Sequence, residues 1–146
     1  MTTFYKVVIL GSRLLVGFVL LYAGWNKLLD PQGFASSIGN YHLLPWGLEN
    51  MVAIVFPWME IITGSGLILG IFIDGSATIS IFLFTIFILA IGSALLRGYN
   101  IECGCGLNSG DLVGLDKILE NSVFVMLSVV ILLRKEKWFE FPCNSF

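Results

Sequence analysis

Four long stretches of this chain run apolar with few interruptions, approximately residues 7–29, 48–72, 76–96 and 112–133. The last is strongest from Leu119 onward, with Leu112–Ile118 as its extension. A helix needs about 20 mostly apolar residues to cross a hydrocarbon core of roughly 30 Å. The pattern therefore predicts an all-α membrane protein: a single domain over 1–146, built as a four-transmembrane-helix bundle. Lipid tolerates little irregular backbone between spans so closely spaced. The longest connection, about Asp30–Gly47, holds Pro31, Pro45, Tyr41, His42 and Trp46. It reads as an interfacial or re-entrant segment.

Small residues mark where these helices should approach one another. Gly17 and Gly24 are seven apart and share a face of the first segment. Gly66 and Gly70 make a small-xxx-small step in the second. Pro57 should kink that second helix and free a carbonyl near Glu60. In the third segment, Ile79, Phe82, Phe84 and Phe87 suit a face turned to lipid.

Composition sharpens the membrane reading. Hydrophobic residues make up 57% of the chain and charged ones 12%, against about 25% charged in soluble proteins. A chain of 146 residues with so little polar surface cannot cover a water-soluble globule. Its first partner is the lipid bilayer. The net charge of -2, with no basic stripe and no glycine-rich phosphate loop, excludes nucleic acid. Lys6 before an apolar run resembles a secretory signal. The run is too long, carries Arg13 and lacks a small-x-small cleavage site, so a retained span is expected.

Four spans would place both termini on one side, with Lys6, Arg134, Lys135 and Lys137, and Arg13 close by. Lys27, Arg97 and Lys117 would face the other side. The positive-inside rule then makes both termini cytoplasmic in a bacterial inner membrane, with Cys103 and Cys105 periplasmic. Cys143 would lie across the bilayer from them as an unpaired thiol. The ending "RKEKWFEFPCNSF" reads as an interfacial anchor through Trp138, Phe139 and Phe141.

Arg13 and Glu60 fall inside apolar spans, where an unpaired charge costs at least several kcal/mol. On antiparallel helices their levels differ by about 10 Å, which a long arginine can partly bridge. Three readings stay open: an interhelical ion pair that fixes the bundle, a cofactor contact or proton relay, and Arg13 reaching back to the surface.

The stretch "RGYNIECGCGLNSGD" carries two of the chain's three cysteines. Thiols at i and i+2 have Cα atoms about 5.5–7 Å apart, near the disulfide range, and Gly104 lets the backbone bend. So small a ring is strained, and strained exposed disulfides are the labile, more oxidising kind. Arg97 and Lys117 would favour a thiolate there, whereas Glu102 and Asp111 would oppose it. The pair can be a redox couple, half of a soft-metal site or a structural turn. A closed zinc site takes four ligands, and this face adds only His42 and carboxylates. No metal site is therefore predicted.

Three separated segments resemble the MauE/DoxX family of redox-associated membrane proteins. "RLLVGFVLLYAGWNKLLDPQGFASSIGNYHLLP" is similar to the family's opening signature. "FPWMEIITGSGLILG" matches the proline, glutamate and glycine of its second helix at Pro57, Glu60 and Gly66. "RGYNIECGCG" resembles the "CGCFG" element of the MauE-like branch, although Leu107 follows Gly106 and the phenylalanine is absent. The resemblance implies a four-helix membrane fold and an association with redox chemistry. MauE itself is associated with maturation of a disulfide-rich periplasmic enzyme, beside a thioredoxin-like partner. Relatives of DoxD type are linked to thiosulfate:quinone oxidoreductase.

The leading expectation is a candidate thiol–disulfide oxidoreductase of the inner membrane. Cys103 and Cys105 would be its catalytic pair, exchanging with a periplasmic thioredoxin-like protein. A quinone, the candidate cofactor, would lie near Arg97 or the His42 loop, while Arg13 and Glu60 hold the bundle. The competing expectation is a non-catalytic membrane anchor or assembly partner, within an oligomer or larger complex. A small transporter fits poorly, with one buried acid and no inverted repeat.

Overall fold

The computed structural model describes residues 2–43, 45, 47–98 and 114–133. Cys103, Cys105 and Cys143 lie outside the described residues, as do Trp46 and the C-terminal anchor 134–146. Among the described residues all regular structure is helical: α1 Thr2–Leu29, α2 Pro31–Asn40, α3 Leu48–Leu69, α4 Ile73–Leu96 and α5 Leu115–Leu132.

Three of these helices, Thr3–Leu29, Leu48–Leu69 and Ile73–Leu96, are long and apolar enough to cross a membrane. The 18 residues of α5 include Asp116, Lys117 and Glu120 in its first two turns. These charges keep it out of that set, so the expected count of four spans is not reached on length and composition. The outer surface suits a bilayer. Phe18, Ile62, Phe82, Leu89 and Met126 are all more than half exposed, an apolar envelope that a water-soluble monomer rarely tolerates.

The four long helices close into a ring. α1 packs chiefly on α3, α3 on α4, α4 on α5, and α5 returns to α1. Paired levels run in opposite directions at each interface, so neighbours are antiparallel. Gly17 meets Gly64 and Gly24 meets Pro57 between α1 and α3. Phe56 meets Phe87 between α3 and α4. Ser80 meets Ser128 and Phe84 stacks on Phe124 between α4 and α5. Val16, Leu20, Leu67, Ala77, Leu83 and Ile131 fill the centre.

The α1–α3 contact is a glycine seam. A methyl built on Gly64 would sit 2.7 Å from the Gly17 carbonyl oxygen, and one on Gly24 would sit 2.9 Å from the Pro57 oxygen. Those neighbours are backbone and cannot swing aside, so the helices approach this closely only with glycine at the seam. The reading of Gly17 and Gly24 as helix contacts holds. Gly66 is likewise a helix contact, but with α4, whereas Gly70 serves to end the helix. Gly70 takes φ 77° and ends α3, while its N–H and that of Ile71 both donate to the Gly66 carbonyl at 3.0 Å. A methyl on Gly66 would collide with Ser76 of α4. The second helix thus stops at Leu69 rather than Phe72, and α4 begins at Ile73, three residues before the expected start.

The long connection contains a helix of its own. Asp30 caps α2, its Oδ1 accepting the Gly33 N–H at 2.9 Å, and Pro31 takes the first helical position. Both are ordinary helix-start signals. α2 lies against α3 and buries Phe34.

α4 presents fewer of its aromatics to lipid than expected. Phe82 is exposed, but Phe84 is buried on Phe124 and Phe87 packs edge-on to Phe56 at 5.9 Å between centroids. The apolar pattern of this helix has almost no polar side to orient it, so only the packing tells inward from outward.

Candidate functional site

Among the described residues a buried ion pair joins Lys27 of α1 to Glu60 of α3. Lys27 Nζ lies 2.7 Å from Glu60 Oε1 and 2.9 Å from Oε2. Lys27 is 4% exposed and Glu60 1%. Two rings complete the setting. Lys27 Nζ is 5.3 Å from the centroid of Phe34 and 4.8 Å from that of Phe87, within the range of cation–π attraction. A charge taken this far from water needs an opposite charge and well-placed donors, and here each ion is the other's principal partner.

Of the three open readings, the Arg13–Glu60 ion pair is not the one formed by Glu60, which takes Lys27. The placement of Lys27 among the surface charges is corrected. The antiparallel register set by Gly17 with Gly64 and Gly24 with Pro57 brings Lys27 close enough for its long side chain to reach back to Glu60, and Arg13 close enough to reach the Leu67 carbonyl. Arg13 is itself 3% exposed, and its Nε and Nη2 donate to the Leu67 carbonyl at 3.2 and 3.1 Å. That carbonyl belongs to the last turn of α3, where Ile71 has turned its N–H back to Gly66. Arginine therefore satisfies a helix end that lipid cannot. Lys27 could have been found in the sequence by spacing: it lies three residues after Gly24 and ten after Gly17, on the face that meets α3.

An apolar cavity of about 250 Å³ opens between α2, α3 and α4. Phe34, Tyr41, Phe56 and Phe87 supply rings to its lining, with Ile38 and Ala90 between them. Phe34 and Phe87 are the same rings that flank Lys27. Burial of Tyr41 pushes its phenol up to about 12. His42 follows Tyr41 with φ 49° and is exposed. Tyr41 and Leu43 on either side of it line the cavity, whereas His42 itself does not. Arg97 caps α4 and is exposed. It lies seven residues beyond Ala90, about 10 Å along the helix, and does not line the cavity.

A second, much smaller cavity of about 20 Å³ lies between α1, α4 and α5. Glu60, Phe87, Lys117, Glu120, Asn121 and Phe124 are among its walls. Lys117 Nζ and Glu120 Oε2 are 3.1 Å apart at the α5 end. Asn121 is buried and donates from Nδ2 to the Lys117 carbonyl at 2.7 Å.

These features gather at one end of the bundle: the end of α1, all of α2, the last turns of α4 and the first turns of α5. α4 ends and α5 begins at this same end, and residues 99–113, with Cys103 and Cys105, lie between them in the sequence and outside the described residues. Sequence reasoning missed Lys27, Phe34, Tyr41, Phe87 and Asn121. Except for Lys27, nothing in residue type or spacing distinguished them from packing residues.

Comparison with known proteins adds the following. The family model described as Methylamine utilisation protein MauE matches residues 5–134. Methylamine utilization protein MauE of Methylophilus methylotrophus is 33% identical over 95 residues, 64% of this chain and 50% of that protein. Its namesake from Paracoccus denitrificans is 27% identical over 127 residues, 86% of this chain and 68% of that protein. The chain thus spans half the length of the first relative and about two thirds of the second. No solved structure matches.

Proposed function

The chain belongs to the MauE family, and from that premise we propose that it is an accessory membrane protein that oxidises periplasmic thiols and passes the electrons to a quinone. In this reading α5 crosses the bilayer with the other three long helices. Both termini are cytoplasmic, in a bacterial inner membrane. Cys103 and Cys105 exchange with a thioredoxin-like protein through a mixed disulfide. The relatives' names tie those proteins to methylamine utilisation, and an accessory role of that kind is taken over here.

The observation that carries the reading is the aromatic-lined cavity of about 250 Å³ beside the buried Lys27–Glu60 pair. Its walls are flat rings and aliphatic side chains, which suit a planar apolar ring. It sits at the bundle end where the cysteine segment begins and ends. The reaction balances without another reactant. Two S–H bonds break and one S–S bond forms between Cys103 and Cys105. The quinone takes the two electrons and two protons and leaves as quinol.

Purified protein should reduce a short-chain quinone when supplied with a reduced dithiol protein. Changing Cys103 and Cys105 together to Ser should abolish this while leaving the fold intact. Ala90→Phe, which fills the cavity, should weaken quinone binding about tenfold or more, as occluding a shaped apolar pocket does. Unchanged thiol oxidation in the double-serine variant would instead support the non-catalytic anchor, the reading that the scarcity of polar side chains otherwise favours.

A further inference from the structure

We propose that the small cavity between α1, α4 and α5 holds a bridging water and forms a proton path, with Glu60 at its inner end and Glu120 at its outer end. The inference deepens the reading above, because it supplies the route by which protons released at the thiol segment reach the quinone cavity.

Holding helices together does not call for the ion pair. The glycine seam of Gly17, Gly24 and Gly64 already brings α1 and α3 into backbone contact. A buried ion pair is often no more stabilising than apolar residues of the same volume. An acid and a base buried together inside a membrane bundle are more informative as a place where protons reside.

The cavity leads outward from that place. It has about 20 Å³ of water-accessible space, and roughly 10–15 Å³ is enough for one water. Its walls include the fully buried Glu60 and, toward the start of α5, Asn121, Lys117 and Glu120. Glu120 keeps 34% of its side chain exposed and Lys117 keeps 12%. The remaining walls are apolar, so the cavity's polar lining runs from the buried Glu60 to the partly exposed Glu120. A carboxylate offers about four acceptor positions, and Lys27 occupies one on each oxygen of Glu60, which leaves acceptor capacity for a water. Of the other elements packed here, α2 and α4 bring Phe34 and Phe87 to Lys27, and α5 brings Lys117 and Glu120. Phe87 lines both cavities, so the inner end of the path lies one ring away from the proposed quinone.

The test uses the full chain in lipid nanodiscs with Cys103→Ser and Cys105→Ser and no quinone, so it is independent of thiol chemistry. Lys27→Met leaves Glu60 as a neutral acid whose C=O stretch shifts when D2O replaces water. Lys27→Gln serves the same purpose if the methionine variant does not assemble. Adding Asn121→Leu should slow that shift about tenfold, because apolar walls leave a small cavity dry. Glu120→Gln should slow it less. Equal exchange rates with Asn and Leu at this position would overturn the path. If the path passes this test and quinone is still not reduced by the native cysteines, the thiol reading fails alone. If quinone is reduced but exchange ignores Asn121, the path fails alone.

Discussion

Lys27 and Glu60, thirty-three residues apart in sequence, meet at 2.7 Å between α1 and α3 with almost no exposure to solvent or lipid. Removing one partner leaves the other buried without its counter-charge. Glu60→Gln should therefore lower stability by about 3–5 kcal/mol. The double change Lys27→Met with Glu60→Met should recover most of that loss. Unfolding in mixed detergent micelles measures both, and a double variant as unstable as the single would mean that the pair acts through something other than its charge.

The glycine seam makes a positional prediction. Gly64→Ala forces its methyl against the Gly17 carbonyl and should cost about 1–3 kcal/mol, as overpacking does. Gly11, Gly75 and Gly92 have open space at the same point. Alanine at Gly11 or Gly92, both within helices, should be neutral or stabilise by up to about 1 kcal/mol. Melting curves of these variants in one detergent provide the comparison.

The cap of α2 should matter to the cavity more than to the bundle. Asp30→Ala removes the acceptor for the Gly33 N–H and should cost about 1 kcal/mol locally. Since α2 supplies Phe34, Ser37 and Ile38 to the cavity wall, the expected result is weaker binding of a short-chain quinone with little change in the global melting temperature. Asp30→Asn, which keeps a capping oxygen, should retain binding.

Tyr41 gives a pH signature. Its phenol is pushed up to about 12 by burial, against about 10 in the unfolded chain. The neutral form is the one the fold accommodates. Its contribution to stability is therefore complete below pH 10 and is lost as the pH rises from about 10 toward 12. Absorbance near 295 nm should show one tyrosinate step in that upper range, and Tyr41→Phe should remove it.

Much of the helical layout was legible because bilayer thickness, side-chain hydropathy and backbone hydrogen bonding act locally. Long apolar runs must become helices where no water is available to the backbone. The Asp30–Pro31 cap was equally local and could have revealed α2, but its residues sat in a polar stretch that read as loop. The site was far less legible. Arg13 and Glu60 stood out as charges in apolar surroundings, and both are buried; the spacing of Lys27 from the α1 glycines marked its face, but which residue each charge meets could not be read along one helix. Partnership depends on register between helices, which shifts which residues share a level.

By itself, then, the sequence determined the membrane environment, the long helices, the glycine face of α1 and the presence of intramembrane charge. Each follows from composition or from a period within a single helix. The tertiary structure alone decided that Glu60 takes Lys27, that Arg13 closes the end of α3, and that Phe34, Tyr41 and Phe87 surround an apolar cavity. Those outcomes arise where antiparallel helices interlock, and the glycines that let α1 and α3 touch set the level at which every other side chain meets its neighbour.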